Sequence, residues 1–364
     1  MKAVILVGGE ATRLRPLTYN MPKAMVPVLN TPFLEHVIRH LSSHRIADII
    51  LAQDNRSQSI QSYFGDGSQF GVRLHYSIED IPLGTAGAVK LAEKHLDGTF
   101  LVLNGDVFTD LDITAMLAFH RERKAKVTIA LTPVDDPTSY GLIESDAQGM
   151  VTRFLEKPSR EQVTTNMINA GTYILEPDVL GHIPPRTNSS FERGLFPLLL
   201  EQGEPVYAYA SSTYWIDIGA PERYLQLNRD LLSGVSLQYS FPTGETVLVG
   251  EQCSIDPTAE ISGPVIIGNN CTIGHRVKLI GPVVIGPGST ILEDSVVEAS
   301  IIWQNSWLGE RVALKNSIVA QNCRLSDDCR VTDSVLGGNV TVVSGAQVAS
   351  GRKIGPGTTV PADT

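Results

Sequence analysis

From Val249 onward, every sixth residue is nearly always a branched aliphatic. The series runs Val249, Ile255, Ile261, Ile267, Ile273, Leu279, Ile285, Ile291 and Val297, and then reaches Trp303. Glycine or proline recurs between these positions, as at Gly268, Gly274, Pro282, Gly286 and Pro287. The register slips by one residue near Leu308 and returns at Leu336, Val342, Val348, Ile354 and Val360. A fixed short period marks a solenoid, because each repeat hides its aliphatic residue only against the repeats stacked on it. The expected structure is a parallel β-helix of hexapeptide repeats. In a β-sandwich, strands would recur about every 8–12 residues and alternate with period two.

The chain before this series has a different rhythm. Ala3 to Val7, Asp48 to Ala52, Phe100 to Leu103 and Val127 to Leu131 read as buried strands. Phe33 to Ser43, Thr85 to Leu96, Ile113 to Arg123 and Pro221 to Leu232 read as helices. This alternation implies an α/β layer fold, a Rossmann-like, mostly parallel sheet with helices on both faces. Ligands in such folds bind beyond the carboxyl ends of the strands. The stretch 233–245 is rich in Gly, Ser and Pro and lacks periodicity, so it reads as a connector. The expected domains are therefore 1–232, the linker 233–245, and a β-helix over 246–364.

The 29 basic and 39 acidic side chains give a net charge of −10. That balance argues against wholesale coating of nucleic acid, where a basic excess is expected. A small anionic substrate remains compatible, since a pocket needs only local positive charge. The opening run Met1 to Val7 is short for a signal peptide, and no apolar run approaches a membrane span. Cys253, Cys271, Cys323 and Cys329 are spaced by 18, 52 and 6, unlike any C-x-x-C pattern. The expectation is a cytoplasmic protein with reduced cysteines and no membrane partner.

The first strand runs into Gly8-Gly9-Glu10-Ala11-Thr12-Arg13-Leu14-Arg15-Pro16-Leu17-Thr18. Glycines after a strand let turn amides approach a phosphate. The spacing is neither G-x-G-x-x-G nor that of a P-loop. Arg13, Arg15 and Lys23 are the only charged residues between Glu10 and Glu35, a local anion trap in an acidic chain. The stretch GGEATRLRPLTYNMPKAMVP resembles the G-G-x-G-T-R-L…P-K signature of sugar-1-phosphate nucleotidyltransferases. The resemblance continues, in the family's order, through PLGTAGA (82–88), NGDV (104–107), YGLI (140–143), RFLEKP (153–158), NAGTYIL (169–175) and YWIDIG (214–219). A hexapeptide-repeat tail, wound as a left-handed β-helix, is also similar to members of that family. Ala11 stands where the family usually has Gly; if that position needs positive φ, alanine costs about 1 kcal/mol or more.

The resemblance implies transfer of a nucleoside monophosphate from a nucleoside triphosphate to a sugar 1-phosphate, with release of pyrophosphate. The attacking phosphate oxygen is already ionised, so no general base is needed. The requirement is relief of repulsion between anions and in-line alignment. By resemblance, Arg13 would grip the β and γ phosphates and Lys23 the α phosphate. Asp106 and Asp217 would hold Mg²⁺, a hard ion suited to carboxylates, phosphates and waters. Leu6, Gly8, Gly9, Glu79, Gly84 and Thr85 would surround the nucleotide. Lys157 would neutralise the sugar phosphate, while Gly141, Glu156, Asn169 and Gly171 would bind the sugar.

Glu79 bears on the base. An ionised carboxylate only accepts hydrogen bonds. Guanine offers two adjacent donors, whereas uracil and thymine offer one donor flanked by acceptors. GTP is therefore expected; mannose 1-phosphate as co-substrate and GDP-mannose as product are what the resemblance implies. Two alternatives are glucose 1-phosphate with dTTP or UTP, and a non-catalytic nucleotide-sugar-binding regulatory subunit. In the repeats, His275 could serve acyl transfer or simply be solvated. Trp303 and Trp307 are candidates for contact or for core filling. The β-helix itself is expected to act in packing and homo-oligomer assembly.

Overall fold

The apolar run after Met1 forms the strand Lys2–Leu6, flanked in parallel by Asp48–Asp54 and Phe100–Asn104. This computed structural model describes residues 1–54, 58–239, 241–242 and 245–362. Arg73–Glu79 extends the parallel part beyond Asp48–Asp54. On the other side, Met167–Leu175 runs antiparallel to both Phe100–Asn104 and Val127–Pro133. Val206–Ala210 lies parallel to Val127–Pro133, and the hairpin Gly141–Ser145/Val151–Glu156 joins through Ile168 and Leu142. The result is a nine-stranded mixed sheet. Its central strands are buried on both faces, as in Ala3, Val4 and Ile5 and in Phe100, Leu101 and Val102, so they read as unbroken apolar runs.

Helices form where apolar spacing and caps coincide. Asp112 caps Ile113–Arg123 by accepting from the Ala115 amide at 2.9 Å. The helix expected over 85–96 is α-helical only over Gly84–Leu91, followed by a tight turn at Glu93–His95. There Lys2 Nζ donates to the His95 carbonyl at 2.7 Å, satisfying an acceptor that a tightened last turn leaves over. No helix among the described residues is long and apolar enough to cross a membrane.

The repeats build three parallel sheets of seven, seven and six strands. Inward aliphatics stack in register, for example Ile273 on Ile291 on Leu308 on Leu325 on Val342, and they fuse into one core. Ile285 to Ile302, Ile302 to Val319 and Val319 to Leu336 are steps of 17 residues, whereas Ile267 to Ile285 and Leu336 to Ile354 are steps of 18. The single slip expected from sequence is thus three one-residue deletions at the same corner. The inward residue of that coil is Ile302, and Trp303 beside it faces Tyr224 instead. At another corner a left-handed residue recurs as Asn270, Gly288, Asn305, Asn322 and Asn339, residue types that tolerate positive φ.

The cysteines also belong to this corner chemistry. Cys271 Sγ donates to the Gly286 carbonyl and Cys323 Sγ to that of Gly337, just as Ser306 Oγ donates to that of Ala320. Burial pushes the Cys323 and Cys329 thiols up to about 11. None of the four is in a disulfide.

Contacts divide the protein into Met1–Gly9 with Leu34–Ile216, and Glu10–Phe33 with Asp217–Thr364. In the second unit the opening loop and the helix Pro221–Leu232 pack with the coils. Asn30 Nδ2 donates to the Ile285 carbonyl at 2.9 Å, and Arg229 Nη2 to that of Ala299 at 3.0 Å. Packing and chain order therefore partition the molecule differently. Of the connector expected over 233–245, Ser240, Thr243 and Gly244 lie outside the described residues; so do Asp363 and Thr364 at the end of the expected repeat domain.

Candidate active site

In the second unit, Ala11 adopts φ 45° and ψ 42°, the left-handed conformation that its place in the loop demands. It is held by Thr18 Oγ1, which donates to its carbonyl at 2.9 Å, and it leads into the turn Thr12–Leu14 that presents Arg13. Lys23 opens a second turn, Lys23–Met25. Both cations converge on one carboxylate. Lys23 Nζ lies 3.4 Å from Asp217 Oδ1, and Arg13 Nη2 lies 3.8 Å from Asp217 Oδ2. The Lys23 and Asp217 side chains are 13% and 15% exposed, while Arg13 is 72% exposed. Two cations thus share one carboxylate, and of the two Arg13 is the one that faces solvent. Gly219 makes the approach possible, because a Cβ there would stand 2.9 Å from Asp217 Oδ1 and 3.0 Å from Arg13 Nη2.

Acids from outside the stretch between Glu10 and Glu35 come close to these cations. Besides Asp217, Glu10 Oε2 lies 3.8 Å from Arg15 Nη2, and the Arg15 guanidinium covers the Tyr19 ring.

In the first unit, Glu79 ends the strand Arg73–Glu79. Its Oε2 accepts from the Leu83 amide at 3.0 Å, and a Cβ on Gly8 would stand 3.1 Å from its Oε1. Gly8, Gly9 and Gly84 are exposed, and Gly84 at φ 70° sits so close to the Ser189 carbonyl that a Cβ would fall 2.6 Å from it. The Thr85 hydroxyl donates to Glu192 Oε2 at 3.1 Å and accepts from the Phe191 amide at 3.0 Å. It is thus committed to anchoring that segment. The Leu6 carbonyl accepts from the Gly105 amide at 2.9 Å, which fixes the turn carrying Asp106. The strand Phe100–Asn104 ends two residues before Asp106; Asp106 lies in the turn before Val107–Thr109, the strand that pairs with Trp215–Asp217.

The residues expected around the sugar gather at the end of the same sheet. A Cβ on Gly141 would lie 2.9 Å from Glu156 Oε2. Asn169 Oδ1 accepts from the Gly171 amide at 2.9 Å, and its Nδ2 donates to Tyr173 Oη at 2.8 Å. Tyr173 Oη donates in turn to Glu192 Oε1 at 3.1 Å. Gly171, at φ 72°, closes on Asn104, whose Nδ2 would stand 2.7 Å from a Cβ. Trp215 Nε1 donates to the Ala170 carbonyl at 2.9 Å and its ring meets Tyr140 edge-on. Lys157 is exposed at φ 50°, with its amide on the Tyr140 carbonyl. Burial, and next the Glu192 charge, raise the Glu156 carboxyl above the ordinary range.

Glu192 and Tyr173 were not singled out from sequence, yet they tie Thr85 to Asn169. The available signal was Ser190 two residues before Glu192: its Oγ donates to Glu192 Oε2 and accepts the amides of Glu192 and Arg193, a helix-start pattern. His275 Nδ1 meets Thr258 Oγ1 at 2.7 Å and Asp256 Oδ1 at 3.4 Å, in a corner-to-corner arrangement between neighbouring coils. Among the described residues, no three His, Cys, Asp or Glu side chains gather as a metal cluster.

The nucleotidyl transferase family matches residues 2–234, the hexapeptide family of bacterial transferases residues 246–281, and the GMPPB C-terminal domain residues 279–363. A mannose-1-phosphate guanyltransferase of Candida albicans is 37% identical over 98% of this chain and 96% of its own. A mannose-1-phosphate guanylyltransferase of Mycobacterium tuberculosis is 40% identical over 64% of this chain and 65% of its own. A UTP–glucose-1-phosphate uridylyltransferase of Synechocystis is 37% identical over 88% and 87%. Among solved structures, HddC of Yersinia pseudotuberculosis complexed with GMP-PN superposes with a TM-score of 0.54 at 31% identity, covering 62% of this chain and 97% of that one. With the Arg13–Lys23–Asp217 convergence and the strand-end glycines in place, the chain belongs to the nucleotidyl transferase family.

Proposed function

We propose that this enzyme transfers GMP from GTP to mannose 1-phosphate, forming GDP-mannose and releasing pyrophosphate. The observation that carries the reading is the convergence of Arg13 and Lys23 on Asp217. Two anionic reactants repel each other, so the reaction needs fixed positive charge where negative charge builds. Arg13, exposed, would take the β and γ phosphates and the departing pyrophosphate. Lys23, shielded, would stay with the α phosphate, and Lys157 would meet the phosphate of the sugar.

Asp106 and Asp217 would hold Mg²⁺. Their donors are hard carboxylate oxygens, the kind that Mg²⁺ takes together with phosphates and waters. When bound, the ion would offset the charge of the triphosphate. Leu6, Gly8, Gly9, Gly84 and Thr85 would line the nucleotide. Glu79 would bridge the two adjacent donors of guanine, since each carboxylate oxygen keeps a further lone pair beyond the Leu83 contact. Gly141, Glu156, Asn169 and Gly171 would bind sugar hydroxyls.

The two guanylyltransferase relatives support this choice. The Synechocystis relative motivates one alternative, UTP with glucose 1-phosphate. In this reading residues 1–232 supply the chemistry, 233–245 connect, and the β-helix of 246–364 assembles a cytoplasmic homo-oligomer, with no role for nucleic acid or membrane. The test is pyrophosphate release with Mg²⁺, crossing four nucleoside triphosphates with mannose 1-phosphate and glucose 1-phosphate. GTP with mannose 1-phosphate should be the fastest pair, and Glu79→Gln should erode the preference for GTP over UTP. A fastest reaction with UTP and glucose 1-phosphate would replace this reading. No release from any pair would favour a regulatory subunit.

A further inference from the structure

Lys23 and Asp217 lie 194 residues apart in sequence, and what holds their carriers together is a buried tyrosine. Tyr224 is fully buried in the helix Pro221–Leu232, which begins four residues after Asp217. Its hydroxyl accepts from Trp303 Nε1 at 2.9 Å and donates to the Pro27 carbonyl. Pro27 begins the small hairpin Pro27–Val28/Thr31–Pro32, four residues after Lys23. The hairpin tip is fastened twice more: the Leu29 amide donates to Asn228 Oδ1 at 3.0 Å, and Asn30 Nδ2 donates to the Ile285 carbonyl in the coil stack at 2.9 Å. One hydroxyl thus joins the segment after Lys23, the helix that follows Asp217 and a β-helix corner. Trp303 is 2% exposed and departs from the aliphatic series at the point where the repeat loses a residue.

We infer that Tyr224 and Trp303 are positioning residues for phosphate binding, so that the β-helix forms part of the catalytic apparatus as well as any assembly surface. The inference rests on the phosphate-gripping role given to Lys23 and Asp217. A buried bridging hydroxyl leaves both partners unsatisfied when removed. Small misplacement of a catalytic group costs rate steeply.

The test uses the full chain with Tyr224→Phe, which keeps the ring and removes only the hydroxyl, and Trp303→Phe, which keeps an aromatic side chain but removes the indole N–H. Wild-type turnover is first established with GTP and mannose 1-phosphate, or with whichever pair reacts, so failure of the proposed function is seen before any variant is compared. In both variants kcat should fall about tenfold and KM for the triphosphate should rise several-fold, while KM for the sugar phosphate stays within twofold. The calorimetric Kd for GTP should weaken in parallel, a readout independent of turnover. A purely structural role would lower the melting temperature while leaving Kd and both KM values unchanged, and that result would overturn the inference. Should either variant fail to fold, Asn30→Gly removes the amide at the hairpin tip while keeping a residue suited to φ 66°. It should show the same asymmetry, and unchanged triphosphate constants would overturn the inference equally.

Discussion

The proposed phosphate end, in the second unit, and the proposed sugar end, in the first, are held in opposite ways. At the phosphate end, bare charges are set against one another: Arg13 and Lys23 share Asp217, glycine gives them room, and their carriers are bolted to the coil stack. At the sugar end, the polar groups form a hydrogen-bonded relay inside the sheet, running from Asn169 through Tyr173 to Glu192 and Thr85. Beside it sits Glu156, an acid partly stripped of water. The contrast follows from the ligands. Phosphates carry charge that must be opposed through space, whereas sugars present hydroxyls that must be met atom by atom. In the proposed reading function is partitioned, the relay's contact with Thr85 apart, and damage at one end should leave the other end's kinetics largely intact.

The largest expected effect is at the phosphate end. Asp217→Ala releases both cations and removes a proposed metal ligand. It should reduce kcat by about 10³-fold with little change in KM for mannose 1-phosphate, as steady-state pyrophosphate release can show. A comparable rise in that KM would erase the partition.

At the sugar end, Asn169→Ala should raise KM for mannose 1-phosphate by about 10- to 100-fold, the scale of a lost hydrogen bond in a polar network. KM for GTP should stay within twofold, and a matched loss for both substrates would count against separate ends.

A pH measurement sharpens the comparison further. The Glu156 carboxyl is raised first by burial and then by Glu192. The acid limb of kcat/KM for mannose 1-phosphate should therefore lie above that of an ordinary carboxylate, and Glu192→Gln should move it to lower pH. The stability effect has a definite sign. Because folding raises this pKa, the stabilising contribution is present below the ordinary carboxylate pKa and is lost as pH rises through the raised value. Glu156→Gln should accordingly raise the melting temperature at neutral pH, and a lowered one would show that the carboxylate is stabilised by its surroundings.

The smallest effect belongs to the loop itself. Ala11 occupies a left-handed conformation, so Ala11→Gly should stabilise the protein by about 0.5–1 kcal/mol in urea unfolding. A loss of stability would show that chain entropy outweighs the relief of strain.

The β-helix was the more legible half because its environments repeat. Each inward aliphatic meets the same position of the next coil, so a count of six finds it. The count failed at Trp303, where a corner lost a residue and Ile302 took the inward place; a tryptophan that breaks an aliphatic series signals a contact outside that series. In the other half, the parallel strands Lys2–Leu6 and Phe100–Asn104 were legible as apolar runs. Met167–Leu175 and Val206–Ala210 were not assigned as strands, since their pairing depends on residues distant in the chain. The same holds for the site. Arg13 and Lys23 stand out as cations in a window without acids, but Asp217 reaches them only through folding. Glu192 carries no local pattern beyond a helix-start serine, and Tyr224 reads as an ordinary helix aromatic.

The central claim is that fixed positive charge from the opening loop drives the transfer, and Lys23 carries it most directly. The measurement is kcat of Lys23→Ala with GTP, mannose 1-phosphate and Mg²⁺ all saturating, on protein whose melting temperature matches the wild type. The account predicts a fall of about 10²- to 10³-fold with KM for mannose 1-phosphate unchanged. A kcat within threefold of wild type would contradict it.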